Sequence, residues 1–310
     1  MESRRIISAK SLPSGSSVTF RDSSYFSRNG PNAVLPTPSE VLAQSALQAP
    51  SKQRRAQRPP VYFEELGLIV KYGKEPKVNI AEAQCLWALK QAAPQIPVPE
   101  IYGWTQDTEY TYLFIELVHG VTLEKIWDSL PRPGRLKFCG QLRSILTELR
   151  ALQQEPDNRF LGNINRGPLV DIVFTGENTP PAGPFSSVKG FHDWLSWKLM
   201  HSNAEHQPGV DPSDTPDPYR LGLPDNSSVV FTHADLHPSN ILVSTESPHH
   251  IVAIIDWQQS GWYPDYWEFC KTRFTADYGS EWVTEYTPLF VDEPKSGMDS
   301  FEWYAYFYGY

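Results

Sequence analysis

The most constraining feature of the sequence is a pair of apolar segments that each end at polar residues. The first segment, Val229–Thr232, precedes Asp235 and Asn240, and the second, Ile251–Ile255, precedes Asp256. Both segments are rich in β-branched residues and are therefore predicted to be buried strands. A carboxylate or amide buried at the end of a strand is unfavourable unless it binds a partner. The sequence therefore predicts a functional site where these strands end.

The spacing of these polar residues is typical of phosphoryl transfer. In such a site one carboxylate meets the acceptor hydroxyl, while an amide and a second carboxylate hold Mg²⁺. Asp235 fits the first role, and Asn240 and Asp256 supply the hard oxygen ligands that Mg²⁺ prefers. Taken singly, each residue is equally typical of a turn or a helix cap. Their occurrence as a set favours the site.

A second interpretation of this region is a transition-metal site. His233, Asp235 and His237 alternate along the chain, and zinc or iron sites use such residues. That interpretation leaves Asn240 and Asp256 without a role. His233 also has a structural interpretation, in which its ring hydrogen-bonds the backbone and braces the loop.

Lys71 and Glu82 form a second candidate pair, upstream of the first site. Lys71 ends the apolar segment Leu68–Lys71, and Glu82 lies in the first turn of a helix predicted over 80–93. A Lys at this point can bind nucleotide phosphates, with the Glu holding its ammonium group in place. The alternative is that both are solvated surface charges, with Glu82 only complementing the helix dipole. The two interpretations are linked, because they apply to both residues together.

The pattern of strands and helices predicts a small strand-rich lobe followed by a larger helical lobe. Strands are expected over 61–73, with a break near Gly67, and over 111–118. Helices are expected over 123–130, 140–153 and 188–200. We predict a partly disordered N-terminal extension at 1–34, a nucleotide-binding lobe at 35–118 and a catalytic, substrate-binding lobe at 119–310.

Composition excludes several classes of protein. The net charge of −9 argues against nucleic-acid binding, which relies on basic patches. No apolar run approaches the ~18 residues of a membrane span, and the first eight residues do not resemble a secretory signal. The 3 cysteines are far apart in the sequence, which is typical of reduced thiols in a cytoplasmic protein. Nothing in the sequence indicates an oligomeric state.

These motifs resemble the aminoglycoside phosphotransferase and choline-kinase-like family, and most closely its fungal members. The resemblance runs from about residue 35 to residue 274. Its most specific parts are Thr232–Leu242, Ile255–Trp257 and Gly261–Glu268. It implies an α+β, two-lobed protein-kinase-like fold with a small antiparallel-sheet N-lobe and a larger, mainly helical C-lobe.

The resemblance also implies ATP and Mg²⁺ as cofactors and a hydroxyl of a small molecule as acceptor. Lys71, braced by Glu82, would bind the phosphates, and the backbones of Glu116 and Val118 would meet the adenine. Asp235 would be the catalytic base, with Asn240 and Asp256 as the Mg²⁺ ligands. An acidic insertion is expected to be a solvated loop, or else to attract an amine-bearing substrate; it contains Asp211, Asp214 and Asp217.

The sequence departs from the family in the segment that should cover the phosphates. Residues 46–60 contain no glycine, and they include a basic run of Lys52, Arg54, Arg55 and Arg58 that either contacts phosphates or is solvated. The alternative function is therefore a catalytically weak or inactive pseudokinase-type binding protein. A protein kinase is disfavoured, because Asp256-Trp-Gln stands where that family has Asp-Phe-Gly and no Ala-Pro-Glu follows. The chain ends at Tyr310, so shortened final helices are expected.

Overall fold

The structure, a computed structural model, describes residues 5–48, 59–173, 179–206, 211 and 216–307. A five-stranded antiparallel sheet dominates the first lobe, and helices dominate the second. The predicted α+β, two-lobed fold is confirmed. The basic run at 52–58 and Asp214 lie outside the described residues. Among the described residues, no helix combines the length and apolar character needed to cross a membrane.

The sheet of the first lobe has the order β2-β5-β6-β4-β3. Its strands are β2 (Ser17–Thr19), β3 (Val61–Phe63), β4 (Leu68–Gly73), β5 (Ile101–Gln106) and β6 (Thr111–Glu116). The predicted break between β3 and β4 is confirmed, because Gly67 adopts left-handed dihedrals, φ 60° and ψ 40°. Residues with a Cβ rarely adopt this conformation, so glycine suits the turn.

Alternation along β4 decides which way Lys71 faces. Leu68, Val70 and Tyr72 are buried in a cluster that includes residues of α1 (Ser24–Asn29) and α2 (Pro38–Gln48). Successive strand side chains point to opposite faces, so Lys71 projects from the other face of the sheet. Glu82 lies on that face, in α3 (Ile80–Ala92).

Helix α3 begins where the sequence predicts, because Asn79 caps it. The Asn79 side-chain oxygen accepts a hydrogen bond from the N–H of Glu82 at 3.1 Å. Such a cap satisfies one of the backbone donors left free in the first turn. The helix ends at Ala92, shortly before Pro94, and buries most of its surface.

The second lobe contains six α-helices in its described part. They are α4 (Leu123–Trp127), α5 (Arg132–Arg150), α6 (Val188–His206), α7 (Trp267–Phe274), α8 (Thr287–Phe290) and α9 (Met298–Phe307). One apolar cluster forms around α5, and another lies between α6, α7 and α9. Trp262 and Trp267 are core residues, with exposed fractions of 2% and 1%.

Short strands position the polar residues that the sequence singles out. They are β7 (Val121–Thr122), β9 (Val229–Thr232), β10 (Ile241–Val243), β11 (Ile251–Ile254) and β12 (Gly261–Pro264). Strand β9 pairs with β12, whereas β11 pairs with β10, which also pairs with β7. The two strands that precede the polar residues therefore belong to different sheets, and their ends converge through the connecting loops.

Several predicted boundaries were wrong. Helix α5 begins at Arg132 rather than residue 140, because Pro133 is tolerated in a first helical turn. Helix α4 ends at Trp127 rather than residue 130, and α6 extends to His206 rather than 200.

Residues of the predicted N-terminal extension take part in both lobes. Strand β2 pairs with β5 at the edge of the main sheet, and β1 (Ile6–Ile7) pairs with β8 (Gln153–Gln154). Part of the predicted extension at residues 1–34 is thus integrated into the fold. The division of the chain after residues 34 and 118 stays a prediction.

Candidate functional site

Lys71 forms a partly buried ionic cluster with Glu82 and Asp256. Its Nζ lies 2.8 and 2.9 Å from the two carboxylate oxygens of Glu82, and 2.6 Å from Oδ1 of Asp256. Glu82 is only 3% exposed. The interpretation of Lys71 and Glu82 as solvated surface charges therefore does not fit.

The charges in this cluster shift one another's pKa. Burial alone would lower the pKa of Lys71, but the neighbouring carboxylates outweigh burial and raise it. Burial raises the pKa of Glu82, although Lys71 opposes this. Burial would also raise the pKa of Asp256, but the positive charge of Lys71 outweighs burial and the pKa is lowered. Lys71 is therefore charged at neutral pH, and Asp256 is ionised.

The loop that carries Asp235 is held by buried hydrogen bonds. Glu268 accepts the backbone N–H groups of His233 and Ala234, at 2.7 and 3.2 Å. Ala234 has a φ of 64°, a strained conformation for a residue with a Cβ. Glu268 thus braces this loop through two hydrogen bonds to its backbone.

His233 is a neutral brace of the same loop. Its Nδ1 accepts the N–H of Asp235 at 3.1 Å, and its Nε2 donates to the carbonyl of Ile255 at 3.0 Å. Burial lowers the pKa of His233, which keeps the ring neutral. Both ring nitrogens are engaged, so His233 is not available to a metal together with Asp235 and His237. Within the described ranges, no group of three or more His, Cys, Asp or Glu side chains is arranged to hold a metal.

Asn240 lies beside Asp235, in a short 3-10 helix at Pro238–Asn240. Its amide nitrogen donates to the Asp235 carbonyl at 2.9 Å and to Oδ2 of Asp235 at 3.0 Å. The backbone carbonyl of Asn240 accepts the N–H of Ile255, at 2.9 Å. These bonds orient Asn240 and join this loop to the turn at Asp256, and the Asn240 side-chain oxygen accepts no hydrogen bond from the described residues.

Asp256 and Asp235 have contrasting environments. Asp256 has a left-handed φ of 63° directly after β11, a strained conformation of the kind found at functional sites. Burial raises the pKa of Asp235, and Lys271, the strongest of its charged neighbours, opposes that shift. The two carboxylates are therefore electrostatically distinct: Asp256 is paired with a cation, whereas Asp235 faces a cavity.

Two adjoining cavities share Asn240 and Asp256. The first has a volume of about 560 Å³, and its lining includes Lys71, Glu82, Glu116 and Val118. The second has a volume of about 480 Å³, and its lining includes Asp235, His237 and Ser239. All of the predicted site residues thus line one cavity or the other, with Asn240 and Asp256 at the boundary.

The segment at residues 116–118, at the end of β6, forms one edge of the first cavity. Glu116 is held to Glu100, since its N–H donates to the Glu100 carbonyl at 2.8 Å and its carboxylate accepts the Glu100 N–H at 3.0 Å. The N–H of Leu117 donates to the carbonyl of Gly67 at 3.0 Å. The backbone N–H of Val118 forms no hydrogen bond with any residue that the structure describes, and it is available to a ligand.

Sequence reasoning missed a buried polar network beside the second cavity. Asp171 and Lys271 form an ion pair at 2.7 Å, and Lys271 also donates to the side chain of Gln259 at 3.1 Å. The available signal was the position of Lys271 in an aromatic-rich segment, close to Trp267, Phe269 and Phe274. The strand pattern gave no signal for Asp171, which lies in a loop.

The family model described as APH, the phosphotransferase enzyme family, matches residues 79–304, which excludes Lys71 and β4. No curated protein matches the chain.

The solved structures to which the chain is similar include three phosphotransferases, each at low identity. An aminoglycoside-3'-phosphotransferase of type VIII is 16% identical, with a TM-score of 0.47 and coverage of 77% of this chain and 83% of that one. A gentamicin complex of APH(2'')-IIa is 14% identical, with a TM-score of 0.46 and coverage of 71% and 70%. APH(3'')-Id from Streptomyces rimosus, in complex with ADP and streptomycin, is 13% identical, with a TM-score of 0.43 and coverage of 78% and 86%.

These likenesses are too distant to carry an argument about function. The family model, in contrast, spans well over half of the chain and includes the Asp235 loop, Asn240 and the Asp256 turn. The chain therefore belongs to the phosphotransferase enzyme family.

Proposed function

We propose that the protein is an ATP- and Mg²⁺-dependent kinase that transfers the γ-phosphate to a hydroxyl of a small molecule in the cytoplasm. The observation that carries this proposal is the boundary between the two cavities. Asn240 and Asp256 line both, so a nucleotide in the first cavity and an acceptor in the second would meet at these residues. Phosphoryl transfer requires such an arrangement, because catalysis consists mainly of positioning and charge neutralisation.

The chemistry of the donor atoms supports a magnesium ion at this boundary. The side-chain oxygen of Asn240 and Oδ2 of Asp256 accept no hydrogen bond from the described residues, whereas the other side-chain polar atom of each is engaged. Both are hard oxygens, and Mg²⁺ sites in kinases use few protein ligands. Bound there, the ion would neutralise charge on the transferred phosphoryl group.

The side chains of the protein have separate tasks in this proposal. Lys71, held by Glu82, would bind the phosphates of the nucleotide, and the free N–H of Val118 would meet the adenine. Asp235 would orient the acceptor hydroxyl and accept its proton. The Asn240 amide keeps Asp235 in place through the bond to Oδ2.

The class of acceptor is the open part of this proposal. Asp211 is exposed, and Asp217 lies in the same insertion, where its carboxylate accepts the hydroxyl of Tyr304 at 2.5 Å. Asp217 is therefore at least partly structural. Amine-bearing molecules remain one class to test, together with uncharged sugars and alcohols.

The test is a panel assay of ADP release with amino alcohols, aminoglycosides and sugars, made with wild-type protein and the Asp235→Asn variant. We expect transfer by the wild type, loss of transfer in Asp235→Asn, and unchanged folding. Asp292→Asn is the matched control, because Asp292 is an exposed partner of Arg143 on the surface. Turnover by Asp235→Asn at the wild-type rate would contradict the role of Asp235.

A pseudokinase-type binding protein is the second candidate, and the glycine-free segment at 46–60 favours it. Thermal unfolding with and without Mg²⁺ and ATP separates the two candidates, because a ligand that binds only the native state raises stability. A thermal shift together with ADP release supports the kinase. A shift without transfer to any acceptor supports the binding protein.

A further inference from the structure

The Asp171–Lys271 pair is completely buried, with both side chains 0% exposed. Each charge has a second partner: Asp171 Oδ2 accepts the Trp267 indole N–H at 2.9 Å, and Lys271 donates to Gln259 at 3.1 Å. A buried ion pair contributes little net stability compared with apolar side chains of similar volume. A role in fixing local geometry therefore explains its presence better than a role in stability.

The network around this pair fixes a loop that has no regular secondary structure. The side-chain oxygen of Gln259 that accepts from Lys271 also accepts the backbone N–H of Ile172, at 3.0 Å. Asp171 Oδ1 accepts the N–H of Val173 at 2.9 Å. The backbone of residues 171–173 is thus held by side chains, in place of the strand or helix partners that it lacks.

This loop forms part of the wall of the second cavity. Ile172 and Asp235 line the same 480 Å³ volume, and so does Thr275. Thr275 lies one helical turn after Lys271, and its N–H donates to the Lys271 carbonyl at 2.9 Å. Ile172 is therefore held by hydrogen bonds that lead to the Lys271 side chain, and Thr275 by the backbone of the same residue, although Lys271 itself does not line the cavity.

The same network reaches the turn that carries Asp256. Gln259 follows Asp256 by three residues and closes the short 3-10 helix Trp257–Gln259. Lys271 therefore links the loop at residues 171–173 and the turn at Asp256 to α7. A cation suits this point, because an ammonium group donates to several acceptors from different segments at once.

We propose that Lys271 is a positioning residue for the acceptor substrate. It holds Ile172 in place through Gln259 and Asp171, and Ile172 forms the cavity wall that presents the acceptor hydroxyl to Asp235. This inference rests on the proposed function, because it takes the 480 Å³ cavity as the acceptor cavity. Lys271 does not line the cavity, so it positions the acceptor through Ile172, and its charge also acts on Asp235 from a distance.

A double-mutant cycle between Lys271→Met and Ile172→Ala tests this inference. With an acceptor from the panel, each single variant is expected to raise the acceptor KM by about tenfold, since small misplacements at an active site have large effects. The thermal shift caused by Mg²⁺ and ATP is expected to stay unchanged in Ile172→Ala, because this variant leaves the Asp256 turn intact. The double variant is expected to raise the acceptor KM no further than the more impaired of the two single variants does, because both changes remove the same wall.

Two further variants keep the test decisive. Lys189→Met removes an exposed lysine that pairs with Asp193, and it is the control for loss of a positive charge. Lys271→Met leaves Asp171 buried and unpaired, and such a variant can fail to fold. Gln259→Leu then takes its place in the cycle, since it keeps the ion pair and removes the acceptor of the Ile172 N–H.

Hydrogen exchange at the Ile172 amide gives a measurement that does not depend on activity. Faster exchange in Lys271→Met or Gln259→Leu, with coupled effects on acceptor KM, supports the inference. Additive effects, an unchanged acceptor KM or unchanged exchange would overturn it. A wild-type protein that phosphorylates no acceptor overturns the proposed function instead, and the exchange data then decide whether Lys271 holds the loop.

Discussion

Lys71 and Asp256 are 185 residues apart in the sequence, yet Nζ of Lys71 lies 2.6 Å from Oδ1 of Asp256. Lys71 belongs to the sheet of the first lobe, and Asp256 follows a strand of the second. The ion pair therefore connects the two lobes across the first cavity. It also brings the candidate phosphate-binding cation next to a candidate Mg²⁺ ligand, where the charge of a nucleotide would be greatest.

We expect Lys71→Met to reduce kcat/KM for phosphoryl transfer roughly 10²-fold, the usual effect of removing one preorganised charge from an active site. Nucleotide binding should weaken as well, because Glu82 and Asp256 would face each other without a cation. Steady-state ADP release and nucleotide titration measure both effects. Lys74→Met is the control, because Lys74 is exposed and pairs only with Glu109 among the acids that the structure describes. Equal losses in the two variants would contradict the assignment of Lys71.

Glu268→Gln should weaken the brace beneath the Asp235 loop. The carboxylate of Glu268 accepts two backbone N–H groups, whereas a glutamine amide offers only one oxygen. One buried N–H then lacks an acceptor, which costs about 2 kcal/mol in the free energy of unfolding. Urea denaturation measures this loss, and Glu285→Gln, at an exposed position, is the control. A change below about 0.5 kcal/mol would mean that the loop does not depend on Glu268.

His192 should make the protein less stable in mild acid. Its ring is 0% exposed and lies 2.8 Å from Asp225 and 2.9 Å from the hydroxyl of Tyr266. Burial lowers the pKa of His192, and the neighbouring Asp225 only partly offsets this. An unfolded His has a pKa of about 6.5. The stability contributed by the neutral ring is therefore fully present above that value, and it is lost as pH falls through the lower, folded pKa.

The measurement is the free energy of unfolding at pH 5 and pH 8. We expect the wild type to be less stable at pH 5, and His192→Gln to show a smaller difference between the two pH values. The pKa of His233 is also lowered by burial, so some of the difference should persist in this variant. His250→Gln changes an exposed ring and should behave like the wild type. An identical pH dependence in His192→Gln and the wild type would be evidence against this role.

The helices and strands that carry the site could be predicted from the sequence, because their boundaries depend on residues next to them in the chain. The start of α3 depends on the cap at Asn79, and the break between β3 and β4 depends on Gly67, both of which are visible in the sequence. Edge strand β2 was missed, because three residues show no periodicity and its strand character comes from pairing with β5.

The sequence singled out Asp235, Asn240 and Asp256, but it did not reveal the supports around them. Nothing in the sequence pairs Asp171 with Lys271, and they become a buried pair only when the loop packs against α7. Whether a charge is buried depends on tertiary contacts, which no local pattern contains. The same limit applies to the two cavities, since their boundary depends on how separate loops meet.

Asp256→Asn should raise the Mg²⁺ concentration required for transfer by tenfold or more, if Asp256 is a Mg²⁺ ligand as proposed. The amide is a weaker ligand than the carboxylate, because it carries no charge to attract a divalent cation. ADP release measured against Mg²⁺ concentration, at saturating ATP, gives the half-maximal value for each protein. The Asp292→Asn control should keep the wild-type value, since Asp292 is exposed and pairs with Arg143. If Asp256→Asn instead lowers the maximal rate without changing the Mg²⁺ requirement, then Asp256 acts through its ion pair with Lys71 and not as a ligand.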